Sequence, residues 1–292
     1  MEQSNSPQTH ETRGLILALA SVLCFSATSL LLSHLNSTHG VDGWVASGYR
    51  AVVGLLVIIA MQGKTGKLHL THIFTNRLLF ARGLIGGATI PLYYICIMEL
   101  GPGRAGLLGG SYPLFAAVFA MFLLKEYLKR SYFAYTALAL IGLASVFADN
   151  GIGGSKPFFD LLAITGAATA GICVVMIRHL HQTENTSTIF ASQCVFTLII
   201  AIVTAGDHML IADRQALGLT ILAAITVVGG QLTLTESFRY INVAKGSTLQ
   251  MLTPALTVVL SALLIGEHFS TLELIGGAAI LFASYRIVVS KQ

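Results

Sequence analysis

Apolar residues run along this chain in long blocks separated by short polar breaks. A helix needs about 20 mostly apolar residues to cross a bilayer core. By that measure the blocks predict ten spans: Gly14–Leu35, Gly43–Gln62, Leu78–Met98, Gly103–Leu124, Ser131–Phe147, Pro157–Ile177, Ser187–Ala205, Ala216–Phe238, Ala244–Ile265 and Leu272–Val289. The fifth and tenth are short and rich in small residues. The longest connection, Gly63–Arg77, holds few apolar residues, and no segment outside the spans is long enough for a soluble domain. The first 13 residues are polar, and the apolar stretch after them has no small-residue cleavage site. It reads as a retained first span rather than a signal peptide.

Composition agrees. Of 292 residues, 54% are hydrophobic and only 10% charged, against about 25% charged in a soluble domain. The 29 glycines and 6 prolines sit inside apolar runs, where glycine lets helices approach closely. The formal net charge of +4 does not indicate nucleic acid, because the basic residues cluster in short loops. Cys24, Cys96, Cys173 and Cys194 all fall in apolar segments without metal-ligand spacing, so they read as packing thiols.

Lysine and arginine are unevenly shared between the two sets of loops. With a cytoplasmic N-terminus, 12 lie on the cytoplasmic side and 3 (Arg104, Lys156, Arg214) on the other, while Arg50 and Arg82 lie within spans. That bias predicts both termini inside.

A shift of 141 positions lays Gly101–Glu126 over Asn242–Glu267. Leu108, Pro113, Val118, Leu123 and Glu126 then meet Leu249, Pro254, Val259, Leu264 and Glu267, and Arg104 meets Lys245. A mid-helix proline and a helix-ending glutamate are uncommon in spans, and the shift is nearly half the chain. Five spans per half is odd, so the second half is predicted to sit inverted, as in many secondary transporters. The expected fold is an all-α integral membrane protein with ten transmembrane helices as two inverted five-helix repeats. A tail over residues 1–13 precedes repeats over residues 14–149 and 157–289.

The stretch LYYICIMELGPGRAGLLGGSYPLFAAVFAMFLLKEYLKR, with its partner LTESFRYINVAKGSTLQMLTPALTVVLSALLIGEHFSTLELIGG, resembles the EamA repeat of the drug/metabolite transporter superfamily. In both, a short loop with a basic residue leads into a helix with a central proline that ends in glutamate. The resemblance covers nearly the whole chain. It implies a central cavity between two halves, alternating access and export of a small solute. The second repeat keeps Gly266-Glu267, whereas the first has Lys125-Glu126.

Several residues could carry function. Pro113 and Pro254 fall near mid-span at matching positions; each removes a backbone donor and crowds the carbonyl four residues earlier. They are read as bends beside the solute site, the alternative being ordinary helix bends. Arg50 lies about eight residues into its span. A charge there costs about 2.5–3.5 kcal/mol on insertion scales, so it either meets an anionic group in a cavity or snorkels to the interface beside Trp44. Glu236 stands three residues before Arg239; the pair gates the cavity, carries a proton, or is a plain interfacial ion pair. Glu99 is expected to pair with Arg104 across their short loop. Glu126 and Glu267 are expected to fix loops or cap helices. Tyr93, Tyr94, Ser111, Tyr112, Gln231, Thr235, Gln250 and Thr253 form the uncharged polar set near mid-membrane. They serve either solute binding or interhelical hydrogen bonding.

Enzymatic constellations are not found. The nine histidines lie in loops or at span ends, and GLLGG and GGAT are buried in apolar helix rather than opening a phosphate-binding loop. Two basic residues flanking the midplane, as a phosphorylated substrate would require, are not expected. The sequence therefore predicts a transporter, not an enzyme, exporting a small polar metabolite such as an amino acid; tyrosines and neutral amides suit a zwitterionic or aromatic solute. The alternatives are a carrier for a nucleoside, vitamin or drug-like compound, or a membrane-embedded enzyme. No cofactor or metal is implied. The expected partners are the solute and membrane lipid, not nucleic acid, with the chain a monomer or homodimer in the cytoplasmic membrane.

Overall fold

The computed structural model describes residues 7–62, 68–123, 156–241 and 252–289, together with residues 134, 135, 137–139, 141, 142, 144, 145, 246, 249 and 250. Its elements are α1 (Pro7–His39), α2 (Gly43–Gln62), α3 (His72–Thr75), α4 (Arg77–Leu100), α5 (Pro102–Gly109), α6 (Tyr112–Leu123), α7 (Pro157–Leu180), α8 (Thr186–Ala205), α9 (Arg214–Tyr240), α10 (Leu252–Leu264) and α11 (Thr271–Val289). A 3-10 turn, Gly206–Met209, follows α8. Six helices among the described residues are long and apolar enough to cross a membrane. Large apolar side chains such as Leu23, Leu56 and Val203 point outward, as on a lipid-facing surface.

The observed helices track the expected spans, with three differences. The first helix begins at Pro7, about two turns before Gly14. The connection after α2 holds the short helix α3, whose Ile73 is fully buried. The fourth span is two helices, because the ladder breaks at Gly110 and Ser111, just before Pro113. The expected fifth span, Ser131–Phe147, and the expected start of the ninth at Ala244 fall partly outside the described residues, and Glu126 wholly so.

Helix ends are set by short polar side chains that satisfy the first free amides. The Asn76 side chain accepts from the Leu78 and Leu79 amides at the start of α4. Asn185 and Asp213 do the same for α8 and α9. Between α4 and α5, Gly101 adopts φ 84°, a conformation that favours glycine, and Pro102 opens the next helix.

Packing is reciprocal between the halves. Helix α1 lies along α9, and α4 lies along α7. Likewise α2 packs on α9 while α4 packs on α8, and α1 meets α10 while α6 meets α7. Each of these three contacts from the first half to the second has its counterpart, which is the pattern a two-fold relation produces. Glycine permits the closest of these approaches. A Cβ on Gly83 would lie 2.7 Å from the Phe196 ring, and one on Gly87 2.9 Å from the Thr197 amide. Helices α4 and α8 therefore meet nearly backbone to backbone.

Candidate solute-binding cavity

The reciprocal packing leaves a cavity of 230 Å³ between the halves. Helices α1, α2, α4, α5 and α6 wall one side, and α7, α8, α9 and the α10 region the other. Of the expected site residues, Arg50, Tyr93, Tyr94, Tyr112, Gln231, Gln250, Thr253 and Pro254 line it. Three do not. Ser111 is buried and donates to the Leu108 carbonyl 2.7 Å away. Thr235 lies one turn beyond Gln231 and accepts its amide at 3.4 Å. Glu236 sits at the end of α9, and the side chain of Pro113, in α6, lies outside the described residues.

The cavity also holds what the sequence reading left out. Arg82, five residues into α4, lines it together with Gln193 of α8. The expectation that two basic residues would not flank the centre is thus corrected. Arg82 folds along its own helix toward the cavity because Gly86 has no side chain there; a Cβ on Gly86 would collide with Arg82 Nη1. Its Nη2 donates to Gln193 Oε1 at 3.1 Å. Arg50 Nη2 donates to Gln231 Oε1 at 3.3 Å, and its guanidinium carbon lies 5.8 Å from the Phe190 ring centroid. Arg50 does not snorkel: it is fully buried. The polar lining continues just before α10, where Gln250 Nε2 donates to the Ala18 carbonyl at 3.0 Å and to Ser21 Oγ.

One face of the bundle is closed by charge. Arg104 donates through Nε and Nη2 to the two Asp160 oxygens, 2.9 Å each, and through Nη1 to Glu273 at 2.7 Å. This cluster ties α5 to α7 and α11. Glu273 is held in turn by a reciprocal capping box, accepting from the Ser270 amide at 3.1 Å while Ser270 Oγ accepts its own amide. Glu267 accepts from the Gly103 amide at 3.0 Å and the Arg104 amide at 3.4 Å. It caps α5 of the opposite half rather than the helix that follows it, and its burial pushes the carboxyl above its ordinary value. The expected Glu99–Arg104 pair does not form. Gly101 turns α5 inward, and Glu99 instead meets Lys156 at 2.7 Å on the exposed rim.

The amino-terminal face is tied mostly by neutral acceptors. Arg178 donates to the Phe238 carbonyl at 2.6 Å, and His181 Nε2 to the Thr235 carbonyl at 2.8 Å. Burial lowers the His181 pKa, keeping the ring neutral. Glu236 accepts from Thr186 and, at 3.0 Å, from Tyr240, with Arg239 3.7 Å away. Among the described residues, no cluster of three or more His, Cys, Asp or Glu is arranged to hold a metal ion.

A model of the EamA-like transporter family matches residues 12–148 and again residues 157–289. The chain belongs to that family. It is a multi-pass membrane transporter of the drug/metabolite superfamily, built from two EamA repeats, and not an enzyme. Solute carrier family 35 member G1 of Mus musculus is 26% identical over 185 residues, 59% of this chain and 49% of the mouse protein. The chain thus spans about half the length of that relative. An uncharacterized transporter of Clostridium kluyveri is 22% identical over 290 residues, 93% of this chain and 92% of its own. A protein of known crystal structure, 18% identical, superposes with a TM-score of 0.64 over 95% of this chain and 96% of its own, a likeness of fold alone.

Proposed function

We propose that this EamA transporter exports a small polar metabolite of amino-acid size, bearing at least one carboxylate, by alternating access. The observation that carries this reading is the cavity between the reciprocal halves, lined by guanidinium and phenol groups of the first and by amides of the second. Carriers place their sites at such repeat interfaces, beside interrupted helices. The break at Gly110 and Ser111 supports Pro113 as one bending point, and Pro254 at the cavity supports the second. Glu236, bound to Thr186 across the α8–α9 contact, is the proposed gate of the amino-terminal face. The bias of basic residues supports a cytoplasmic location for both termini, and the outward direction follows the family resemblance.

Purified protein in liposomes, loaded with unlabelled amino acid and challenged with the labelled form, tests the reading. Counterflow above empty liposomes is expected. Absence of counterflow with every small solute tried would sink it.

A further inference from the structure

The two cavity arginines lack countercharges. Arg50 is fully buried and Arg82 nearly so. Each gives one Nη2 bond to a neutral glutamine of the other half. The Nε and Nη1 groups of both have no hydrogen-bond partner among the described residues. No described residue lining the cavity is acidic. Asp160 and Glu273 are committed to Arg104, Glu99 to Lys156, and Glu184 to His72, all away from the cavity. Buried charge without an opposite charge is among the costliest arrangements in a protein. It persists where an occupant supplies the missing charge.

The glutamines are oriented for this task. Gln193 Nε2 donates to the Gly86 carbonyl at 3.1 Å and Gln231 Nε2 to Thr235 Oγ1 at 3.4 Å, which aims each amide oxygen at its arginine. Each guanidinium is thereby held by one nitrogen while its Nε and remaining Nη point elsewhere. That leaves donors of the kind that engage an anionic oxygen pair.

We infer that the solute is a small organic anion of net negative charge, a carboxylate-bearing compound whose anionic groups are bound by Arg50 and Arg82. This rests on the carrier reading above and sharpens it. A zwitterionic amino acid would answer one arginine, and its ammonium would find no carboxylate among the described lining residues. A dicarboxylate answers both. Carboxylate fits better than phosphate ester because the rest of the lining includes Leu32, Ile97, Val174 and Ile177. A carboxylate presents oxygens on one edge and carbon behind, whereas a phosphoryl group would turn oxygens toward those apolar walls. The cavity of 230 Å³ lies just below the range of about 300–1,000 Å³ typical of ligand pockets, which suits a small solute.

The test uses full-length protein with succinate, alanine, glycerol 3-phosphate and glycerol as probes, read by thermal shift and by counterflow in liposomes. Succinate is expected to stabilise and exchange, with alanine weak and glycerol inert. Arg50→Gln and Arg82→Gln should each weaken succinate binding about tenfold or more, the worth of a lost charge-assisted hydrogen bond. Both should melt no lower than the wild type without solute, because each removes an uncompensated buried charge. Arginines with a purely structural role would instead lower the melting temperature and leave the succinate affinity of folded protein unchanged, which overturns the inference. Equal counterflow of alanine by wild type and Arg82→Gln, with none of succinate, overturns the anion site but leaves a carrier. Preference for glycerol 3-phosphate overturns the carboxylate assignment. If no probe is bound or moved, the carrier reading falls and the anion site with it.

Discussion

Arg104 and Asp160 face each other side-on, joined by two N–H···O bonds of 2.9 Å with the carboxylate wholly buried. The pair bridges the two repeats, and Glu273 completes it from α11. Asp160→Asn leaves Arg104 with Glu273 as its remaining carboxylate, and a lost hydrogen bond to a charged group costs about 1.5–3 kcal/mol. Asp160→Asn should therefore lower the melting temperature in detergent sharply. Glu99→Gln, which breaks the exposed pair with Lys156, should cost under about 1 kcal/mol. Melting the two variants side by side checks the contrast.

Gly86 makes room for Arg82. Gly86→Ala should push the guanidinium off Gln193 and reduce solute exchange about tenfold, on the scale of one charge-assisted hydrogen bond. Gly229→Ala, on a helix position with nothing within 4 Å, should leave exchange unchanged. Counterflow rates of the two variants, normalised to protein in the vesicles, decide the matter.

At Gly110 a Cβ would lie 2.8 Å from Pro254 Cγ and 3.0 Å from the Gly106 carbonyl. Gly110→Ala is overpacked against the other repeat and should cost about 1–3 kcal/mol. Pairing it with Pro254→Ala removes the ring and should restore part of the loss. A double-mutant cycle by thermal melt measures that coupling, and strict additivity would argue against the contact.

Glu267 supplies the pH dependence. Its carboxyl is raised above the ordinary 4.5, first by burial, with Glu273 adding to the shift and bonds from Gly103, Arg104 and Ser261 opposing it. A raised acid favours the folded state while protonated. Its contribution is fully present below 4.5 and is lost as pH climbs through the raised value. Wild-type melting should thus decline over that window, and Glu267→Gln, neutral throughout, should flatten the decline.

The spans were legible because about 20 apolar residues have few other uses, and the bend before Pro113 because proline removes a donor. The cavity was legible only in part. Arg50 stood out as a charge well inside its span, whereas Arg82 lies close enough to the start of α4 to pass for an end residue. Only its fold-back over Gly86 brings it to the centre, and that is a matter of packing. Glu99 and Arg104 are close in sequence, yet the φ of Gly101 sends their helices apart. The Ser270–Glu273 capping box was not among the expectations, and its role depends on Arg104 arriving from the other repeat.

Helix α5 has eight residues, a stiff rod of about 12 Å. One end carries Arg104 and the ionic tie; the other carries Gly109 on the cavity wall and stops at the break. A rod that short passes displacement along its length almost without loss. At the proposed site, a solute that shifted Gly109 would also pull on the Arg104–Asp160 pair, and linkage would make any such coupling reciprocal. Helix α5 is a lever with the latch at one end and the cargo at the other.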